Sequence, residues 1–519
     1  MTLTPRSAQD YGLPPPVRTH LPILLALALA AGCGQRGDAL PAPPLDHFHY
    51  PALMAAVGQG VTDPTLVVNS TDIDAAYRSG TLLAAALDPG LSGADQILGG
   101  LEIVPNATEL RVIQDAPGVM KGFDEPGAAD CRNDGTPKLF LGADDRLYRM
   151  DLQDGVPVCG ADCEHALSPR LSSSAWAMAI SCPAGPPPPP PPAVAPPPPV
   201  RRAWVGFLKG KNDNGYVGQL TLGGDVGVDG KSHDLDDLVE VNVGKGFPQA
   251  FAFDRDWNRL YFVTQEDQEA AFLRWIDPGA TGCLPFLDAD GLQDETRGGC
   301  HVDSGVELSH WLRGAEGVDV RLASDLTACE TPVEAGVQCR RAYLAIRVYD
   351  ADLAAANGHR RPVDDIGGQL WVMEIPQTGA RPDPRLLSTF DVGHGVARLQ
   401  VIPRAAGRDL VAIVSRQDAQ LWIYDDATGR MEFAKGRDGN GIPLLGHNLV
   451  GLAAVRQTSD VTRLFVSSDW DHWISAVDVN VSDPAKSCVV HTRGPDACTP
   501  DRTNPDHPND DILRIKGNL

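Results

Sequence analysis

The chain has 519 residues, of which 68 are acidic and 44 basic, and its formal net charge is −24. An excess of negative charge of this size repels phosphate backbones, so nucleic acid is excluded as an expected partner. The acidic residues form no contiguous block, and the charge therefore predicts a solvated surface that favours solubility.

The first segment has the pattern of a secretory signal. Arg6 and Arg18 precede an apolar run at residues 21–31, which is shorter than the roughly 20 residues that a membrane-spanning helix needs. The run leads into Ala30-Ala31-Gly32-Cys33, which resembles the lipobox of bacterial lipoproteins. The resemblance implies cleavage before Cys33 and lipid on that cysteine, and the lack of an aspartate after it implies sorting to the outer membrane. An ordinary signal peptide cut nearby is the alternative.

The cysteine count fits an oxidising compartment. Eleven cysteines are present, and assigning Cys33 to lipid leaves ten, an even number compatible with five disulfides. Three candidate bonds join neighbours in sequence, namely Cys283 with Cys300, Cys329 with Cys339 and Cys488 with Cys498. Two further bonds would come from Cys131, Cys159, Cys163 and Cys182, whose pairing stays open. Cys159 and Cys163 are spaced loosely like zinc ligands, but no second pair with that spacing accompanies them.

A pair of short strands recurs along the chain. Seven segments have this form, each with a β-rich strand, a polar loop and a second strand that ends near an acidic residue, as in "RLYFVT" with "AFLRWID" and "RLFVSS" with "HWISAVD". Apolar alternating runs precede several of these hairpins and follow others. Trp371, Trp422 and Trp473 recur at intervals of 51 residues and are expected at one equivalent strand position, packed between repeats.

Four strands in each of seven units predict an all-β fold, a seven-bladed β-propeller of antiparallel blades with long loop insertions and disulfide bonds. The repeats resemble the seven-bladed propellers of the YVTN (YncE-like) type, whose units read as a turn, Arg-Leu-Tyr-Val-Thr-Asn, a loop, a valine-rich strand and Asp. "LVVNSTDIDAAYRSGTLLAAALD" and "CGADCEHAL" are also similar to envelope lipoproteins of myxobacteria. The expected organisation is a signal peptide at 1–32, a tether at 33–44 and the propeller at 45–519, with a proline-rich insertion at 183–200.

The segment "SSDWDHWISAVD" at 467–478 is the most conspicuous cluster of polar and aromatic residues. Its position in the last repeat predicts that residues 469–472 form the loop between the second and third strands. Antiparallel connectivity places all such loops on one face, together with the links between blades. That face would gather acidic and amide residues of several repeats, including Asn69, Asp72, Asp144, Asp267 and Asp418. They could hold a cation near the central channel, although Asp, Asn and Gly are also ordinary turn residues.

Two other segments are candidates for binding. Asp288, Asp290 and Asp294 lie between Cys283 and Cys300 and are a weak candidate for Ca²⁺, because the spacing of a complete calcium loop is missing. The proline-rich insertion favours a polyproline II spine that could dock in an aromatic groove of a partner, or it is a tolerated low-complexity insertion.

No linear signature of an enzyme is present: the sequence has no Gly-x-Ser-x-Gly, His-Glu-x-x-His, phosphate loop or dinucleotide fingerprint. The sequence therefore predicts a lipid-anchored envelope propeller that acts as a non-catalytic binding or scaffolding module, with no catalytic or cofactor-binding residues assigned. An envelope protein or a glycan is the expected partner, the membrane is contacted through the lipid alone, and the chain is expected to be a monomer. The alternative is a lactonase-like hydrolase with a divalent metal at the central channel.

Overall fold

A computed structural model describes the larger part of the chain from residue 40 onwards. The described residues are 40–57, 65–71, 77, 79–87, 96–103, 107–113, 138–143, 146–158, 171, 175–181, 201–209, 214–222, 238–266, 270–278, 283, 300, 302, 305–308, 315–330, 336–349, 365–377, 383–435, 444–492, 498 and 512–516. Several residues that the sequence singles out lie outside these ranges, namely Cys33, the cysteines at 131, 159, 163 and 182, the proline-rich insertion, Asp72, Asp144, Asp267, Asp288, Asp290 and Asp294.

The first four sheets follow the chain in order, and each has four antiparallel strands. Blade one holds β1 (Pro51–Val57), β2 (Thr65–Ser70), β3 (Gly80–Ala86) and β4 (Ile97–Ile103). Blade two holds β5 (Ala107–Ile113), β6 (Lys138–Ala143), β7 (Arg146–Gln153) and β8 (Val156–Val158). Blade three holds β9 (Ala177–Ser181), β10 (Arg201–Lys209), β11 (Asn214–Leu222) and β12 (Val239–Lys245). Blade four holds β13 (Phe247–Asp254), β14 (Arg259–Glu266), β15 (Ala270–Ile276) and β16 (Val306–Glu307).

Three more sheets complete the fold. Blade five holds β17 (Ala315–Ala328), β18 (Gln338–Tyr349), β19 (Asp365–Pro376) and β20 (Arg385–Gly393). Blade six holds β21 (Val396–Ile402), β22 (Leu410–Ser415), β23 (Gln420–Asp425) and β24 (Arg430–Lys435). Blade seven holds β25 (Leu449–Arg456), β26 (Val461–Ser468), β27 (Trp473–Asn480) and β28 (Cys488–Val489), and β29 (Arg514–Lys516) also pairs with β27. A 3₁₀ turn spans Pro484–Lys486.

The molecule is thus a seven-bladed β-propeller, and the seven predicted hairpins are the second and third strands of its blades. These strands are mostly apolar and buried on both faces, as in "LVAIVS" of β22, because each sheet is covered by its neighbours in the ring. Within the described residues no helix is long and apolar enough to cross a membrane.

The innermost strands form a closed ring. Each first strand contacts the first strand of the next blade, from β1 through β25, and β25 contacts β1. Every blade is built from consecutive strands, and none of the described strands is shared between the first and last blades. Both chain ends support this junction instead, because Phe48, Leu513 and Ile515 lie in one buried cluster with residues of blades one and seven.

A bulge recurs in the inner strand of six blades. The register of the first strand against the second shifts by one residue just before Leu53, Glu109, Ala250, Asp319, Arg398 and Gly451. A bulge bends the strand and redirects the following side chains. Three of these six positions, Glu109, Asp319 and Arg398, carry a charged side chain on the innermost strand, which borders the central channel of the ring.

Three disulfides connect the sequence neighbours, as predicted: Cys283–Cys300, Cys329–Cys339 and Cys488–Cys498. Closely spaced pairs are easy to predict because the antiparallel hairpins and short loops of a propeller return the chain to the same place. Each bond closes a loop and restricts the unfolded chain.

Candidate binding face

The two faces of the ring differ in what they display. We call the face with the loops between second and third strands, together with the links between blades, the link face, and the other the hairpin face. As predicted, Asp418 and residues 469–472 lie on the link face, in the loops after β22 and β26. Asn69 is buried in β2, where its amide contacts the carbonyl of Thr81, so it is not a surface ligand.

A clasp of histidine and aspartate fastens two of these loops. The backbone N–H of His394, in the link before blade six, donates to Asp418 Oδ2 at 2.7 Å, and its ring Nδ1 lies 3.2 Å from the same oxygen. His447, in the link before blade seven, repeats both contacts with Asp471, with Nδ1 at 3.2 Å. Each aspartate follows its histidine by 24 residues. These histidines therefore hold each loop to the preceding link.

Asp469 joins the loops of blades six and seven. Its side chain is almost fully buried and accepts from Asn448 Nδ2 at 2.5 Å and from Arg416 Nη2 at 3.4 Å. Burial raises the pKa of Asp469, whereas Arg416 and Asn448 oppose that rise. The carboxylate of Asp469 therefore stabilises the loop. This agrees with the prediction that residues 469–472 form a structural loop.

The same loop presents an exposed tryptophan. The side chain of Trp470 is 67% exposed, although the residues on both sides of it, Asp469 and Asp471, are held by the contacts above. Trp176 is 44% exposed and stands just before β9, so it also lies on the link face. It packs edge-on against Phe247 at 5.0 Å between ring centres. The large exposed apolar residues of the described chain are these two tryptophans and Leu45, Leu98 and Leu386.

A cluster of aromatic and histidine rings fixes the start of the propeller to its last blade. The backbone N–H of Tyr50 donates to His472 Nδ1 at 3.0 Å, and the two rings meet at 4.6 Å. His49 stacks parallel on His472 at 5.3 Å and touches Tyr77 edge-on at 4.5 Å. His472 therefore acts as a support for the entering chain.

The expected equivalence of three tryptophans is wrong for one of them. Trp371 and Trp422 do occupy the same place relative to the inner-strand bulge. Ser475 occupies that place in blade seven, whereas Trp473 is the first residue of β27 and pairs with Ser468. A constant interval in sequence does not fix strand register, because loops of different length lie between the repeats.

Trp473 contacts the link before its blade and the C-terminal strand β29. Its indole N–H donates to the carbonyl of Leu445 at 3.3 Å, and the Arg514 guanidinium lies 4.3 Å from its ring centre. It thus fastens the preceding link and β29 to the edge of its own blade.

On the hairpin face, the described residues include ion pairs whose arginine side chains are at most 12% exposed. Arg259 pairs with Asp277, Arg341 with Glu374 and Arg463 with Asp478, each from the start of a second strand to the end of a third. Burial raises the pKa of Tyr343, which interacts with the charge of Arg341 in blade five, well above its usual value. Each ion pair joins the second strand of a blade to the end of the third strand of the same blade.

The described residues do not assemble the metal site that the hydrolase alternative requires. Cys329, Cys339 and Glu374 come together, but both thiols are consumed in a disulfide and cannot act as thiolate ligands. The carboxylates that reach the channel, Glu109 and Asp319, are engaged by arginines and backbone N–H groups. A divalent cation would have to displace these partners, so this arrangement does not favour metal-dependent hydrolysis.

The chain matches no protein-family model and no curated protein. Solved structures with a similar fold include Sqt1 of Chaetomium thermophilum bound to the N-terminus of ribosomal protein L10, at 13% identity and a TM-score of 0.42, covering 86% of this chain and 90% of that one. The periplasmic gluconolactonase PpgL of Pseudomonas aeruginosa is 15% identical with a TM-score of 0.27, covering 66% and 93%. The WD40 domain of SCAP from fission yeast is 8% identical with a TM-score of 0.33, covering 82% and 91%. At these values the likeness concerns the propeller fold alone.

Proposed function

We propose that this protein is a non-catalytic binding module that docks a protein partner on its link face. The observation that carries the proposal is the exposure of Trp470 and Trp176 on that one face. Tryptophan is enriched among the residues that dominate binding energy, because it buries a large rigid surface at a low entropic cost. Leaving such a side chain 67% exposed has no benefit for folding.

The surroundings of Trp470 support a protein partner. The half-exposed side chains of Arg416 and His447 contact Asp469 and Asp471, the residues on either side of Trp470, so charged and polar groups flank the tryptophan in sequence. Such an apolar centre with a polar rim is typical of protein interfaces. The loop is fixed by the clasps of Asp469 and Asp471, and a preorganised loop loses little conformational entropy on binding.

Trp470→Ala should weaken binding of the partner by about 30-fold or more, because truncating a central tryptophan costs about 2 kcal/mol or more. The partner would first be recovered by crosslinking and co-purification with the tagged full-length protein from its native envelope, and its Kd then measured for each variant. The melting temperature should stay unchanged, since the side chain is largely exposed.

Leu386→Ala provides the matched control, because Leu386 is a 40% exposed apolar residue at the start of β20, on the hairpin face. Its replacement should change the Kd by less than about twofold. Equal Kd values for wild type and Trp470→Ala would refute docking at this loop. Retention by an envelope glycan fraction that depends on Trp470, with no protein partner, would replace the proposed partner by a carbohydrate.

We also propose that the protein is anchored in the cell envelope by lipid on Cys33, with the outer membrane as its site. The signal-like segment and lipobox-like residues support this, and so do the three disulfides, which persist in oxidising compartments. Cys33→Ser should move the protein from the membrane fraction to the soluble fraction. A variant with both Cys329→Ser and Cys339→Ser should stay with the membranes, and unchanged fractionation of Cys33→Ser would count against the anchor.

A further inference from the structure

The central channel contains a cluster of charged side chains contributed by three blades. Glu109 and Arg111 come from β5 of blade two, Asp319 and Arg321 from β17 of blade five, and Arg398 from β21 of blade six. Arg398 Nη1 lies 3.3 Å from Glu109 Oε2, although blades two and six are not neighbours in the ring. The contact therefore crosses the channel.

Both carboxylates of the cluster are already engaged. Glu109 Oε1 lies 2.7 Å from Arg111 Nη1, and its other oxygen faces Arg398. Each oxygen of Asp319 accepts a backbone N–H, from Val320 at 2.9 Å and from Leu399 at 2.9 Å. The next acid towards the link face, Glu316, accepts from Gln249 at 2.5 Å and lies 3.9 Å from Arg347. Little carboxylate capacity is left for the third guanidinium.

Arg321 carries the excess positive charge. Its contacts with Asp319 are long, at 3.4 and 3.5 Å, and its side chain keeps 24% of its surface exposed. Burial lowers the pKa of Arg321, the carboxylates of Asp319 and Glu109 oppose that fall, and the charges of Arg111 and Arg398 add to it. Three guanidinium groups thus face two carboxylates, which gives a local net charge of +1 inside a protein whose overall charge is −24.

We propose that Arg111, Arg321 and Arg398 form a binding site for a small oxyanion, a phosphate or a carboxylate, in the channel. A guanidinium presents two parallel N–H donors that match two oxygens on one centre, and such charge-assisted pairs are stronger than neutral hydrogen bonds. The three side chains are 15%, 24% and 21% exposed, so the site is in contact with solvent. The bound anion would complete the charge balance and link blades two, five and six.

Titration calorimetry of the full-length protein with inorganic phosphate tests the site, and acetate in a second titration separates phosphate from carboxylate recognition. Wild type should bind phosphate, acetate or both at one saturable site. A titration with sodium chloride of the same ionic strength is the reference. Arg321→Gln should weaken that binding by about tenfold or more, because it removes the bidentate donor. Arg321→Lys, which keeps the charge but loses the fork, should fall between the two.

Arg408→Gln is the matched control, since the Arg408 side chain is 26% exposed but pairs with Glu330 on the hairpin face. It should leave the affinity for phosphate and acetate unchanged. The site is refuted if wild type binds neither anion or if Arg321→Gln binds as tightly as wild type. It is also refuted if Arg321→Gln and Arg408→Gln weaken binding equally. Should Arg321→Gln fail to fold, Arg321→Lys takes its place, and the site is refuted if that variant binds as tightly as wild type.

Discussion

Arg340→Ala should destabilise the propeller by about 3–5 kcal/mol, because it leaves a buried carboxylate without its counter-charge. The Arg340 side chain is 5% exposed and holds Asp254 of blade four, whose side chain is fully buried, with both N–O distances at 3.2 Å. It also donates to the carbonyls of Ala323 and Ser324 at 3.0 and 3.2 Å and contacts Asp256. Burial lowers the pKa of Arg340, but the two aspartates outweigh it and the pKa is raised, so the group is charged.

Urea unfolding followed by tryptophan fluorescence measures this loss. Arg385→Ala is the matched control, since Arg385 pairs at 3.6 Å with Asp383, whose side chain is 79% exposed, and an exposed pair contributes about 0–1 kcal/mol. The combination of Arg340→Met with Asp254→Asn should recover part of the loss, because it removes both charges. Similar losses for Arg340→Ala and Arg385→Ala would contradict the assignment of Arg340 as a bridge between blades.

The propeller could be predicted from sequence because its signals are local. Each hairpin is read from alternating or apolar runs bounded by Gly, Pro and Asp, and antiparallel connectivity then assigns every loop to a face without coordinates. The link face and three disulfides follow from this reasoning. The register of the strands cannot be predicted in this way, because bulges and loop lengths decide which residues face each other, as Trp473 illustrates.

The two clasps of the link face had a signal that could have been used. His394 and His447 each stand in a link directly after a glycine, and in each case an aspartate follows the histidine by 24 residues. Such a repeat of residue type and spacing indicates contact, whereas the histidines considered one at a time look scattered. Trp176 was hidden for a different reason, because it adjoins an apolar run and is indistinguishable in sequence from a strand residue.

The charged cluster of the channel could not have been predicted. Glu109 and Arg398 are 289 residues apart, and nothing in the local sequence of either residue indicates the other. They meet because the ring places bulges of different blades around one axis. Sites at the centre of a propeller are built from many blades, and sequence alone shows neither which residues turn inward nor which of them meet.

Phe48→Ala should cost about 3–5 kcal/mol, because it removes an aromatic side chain from the core at the point where the ring closes. Phe48 is 1% exposed and belongs to the buried cluster that also holds Val490, Leu513 and Ile515. In the part of the chain that the structure describes, blades one and seven share no strand, and packing of Phe48 against the C-terminal residues joins them instead. Hydrogen exchange should accordingly rise first in β1 and β29.

Leu45→Ala tests whether the effect belongs to the closure or merely to the segment, because Leu45 lies three residues earlier and is 43% exposed. Its loss should stay within about 0.5 kcal/mol in the same urea titration. If the two variants unfold at the same urea concentration, or if exchange in β1 and β29 stays as slow as in wild type, Phe48 does not hold the ring together. A large loss of stability confined to Phe48→Ala, with faster exchange in β1 and β29, means that the buried aromatic side chain of Phe48 holds blades one and seven together.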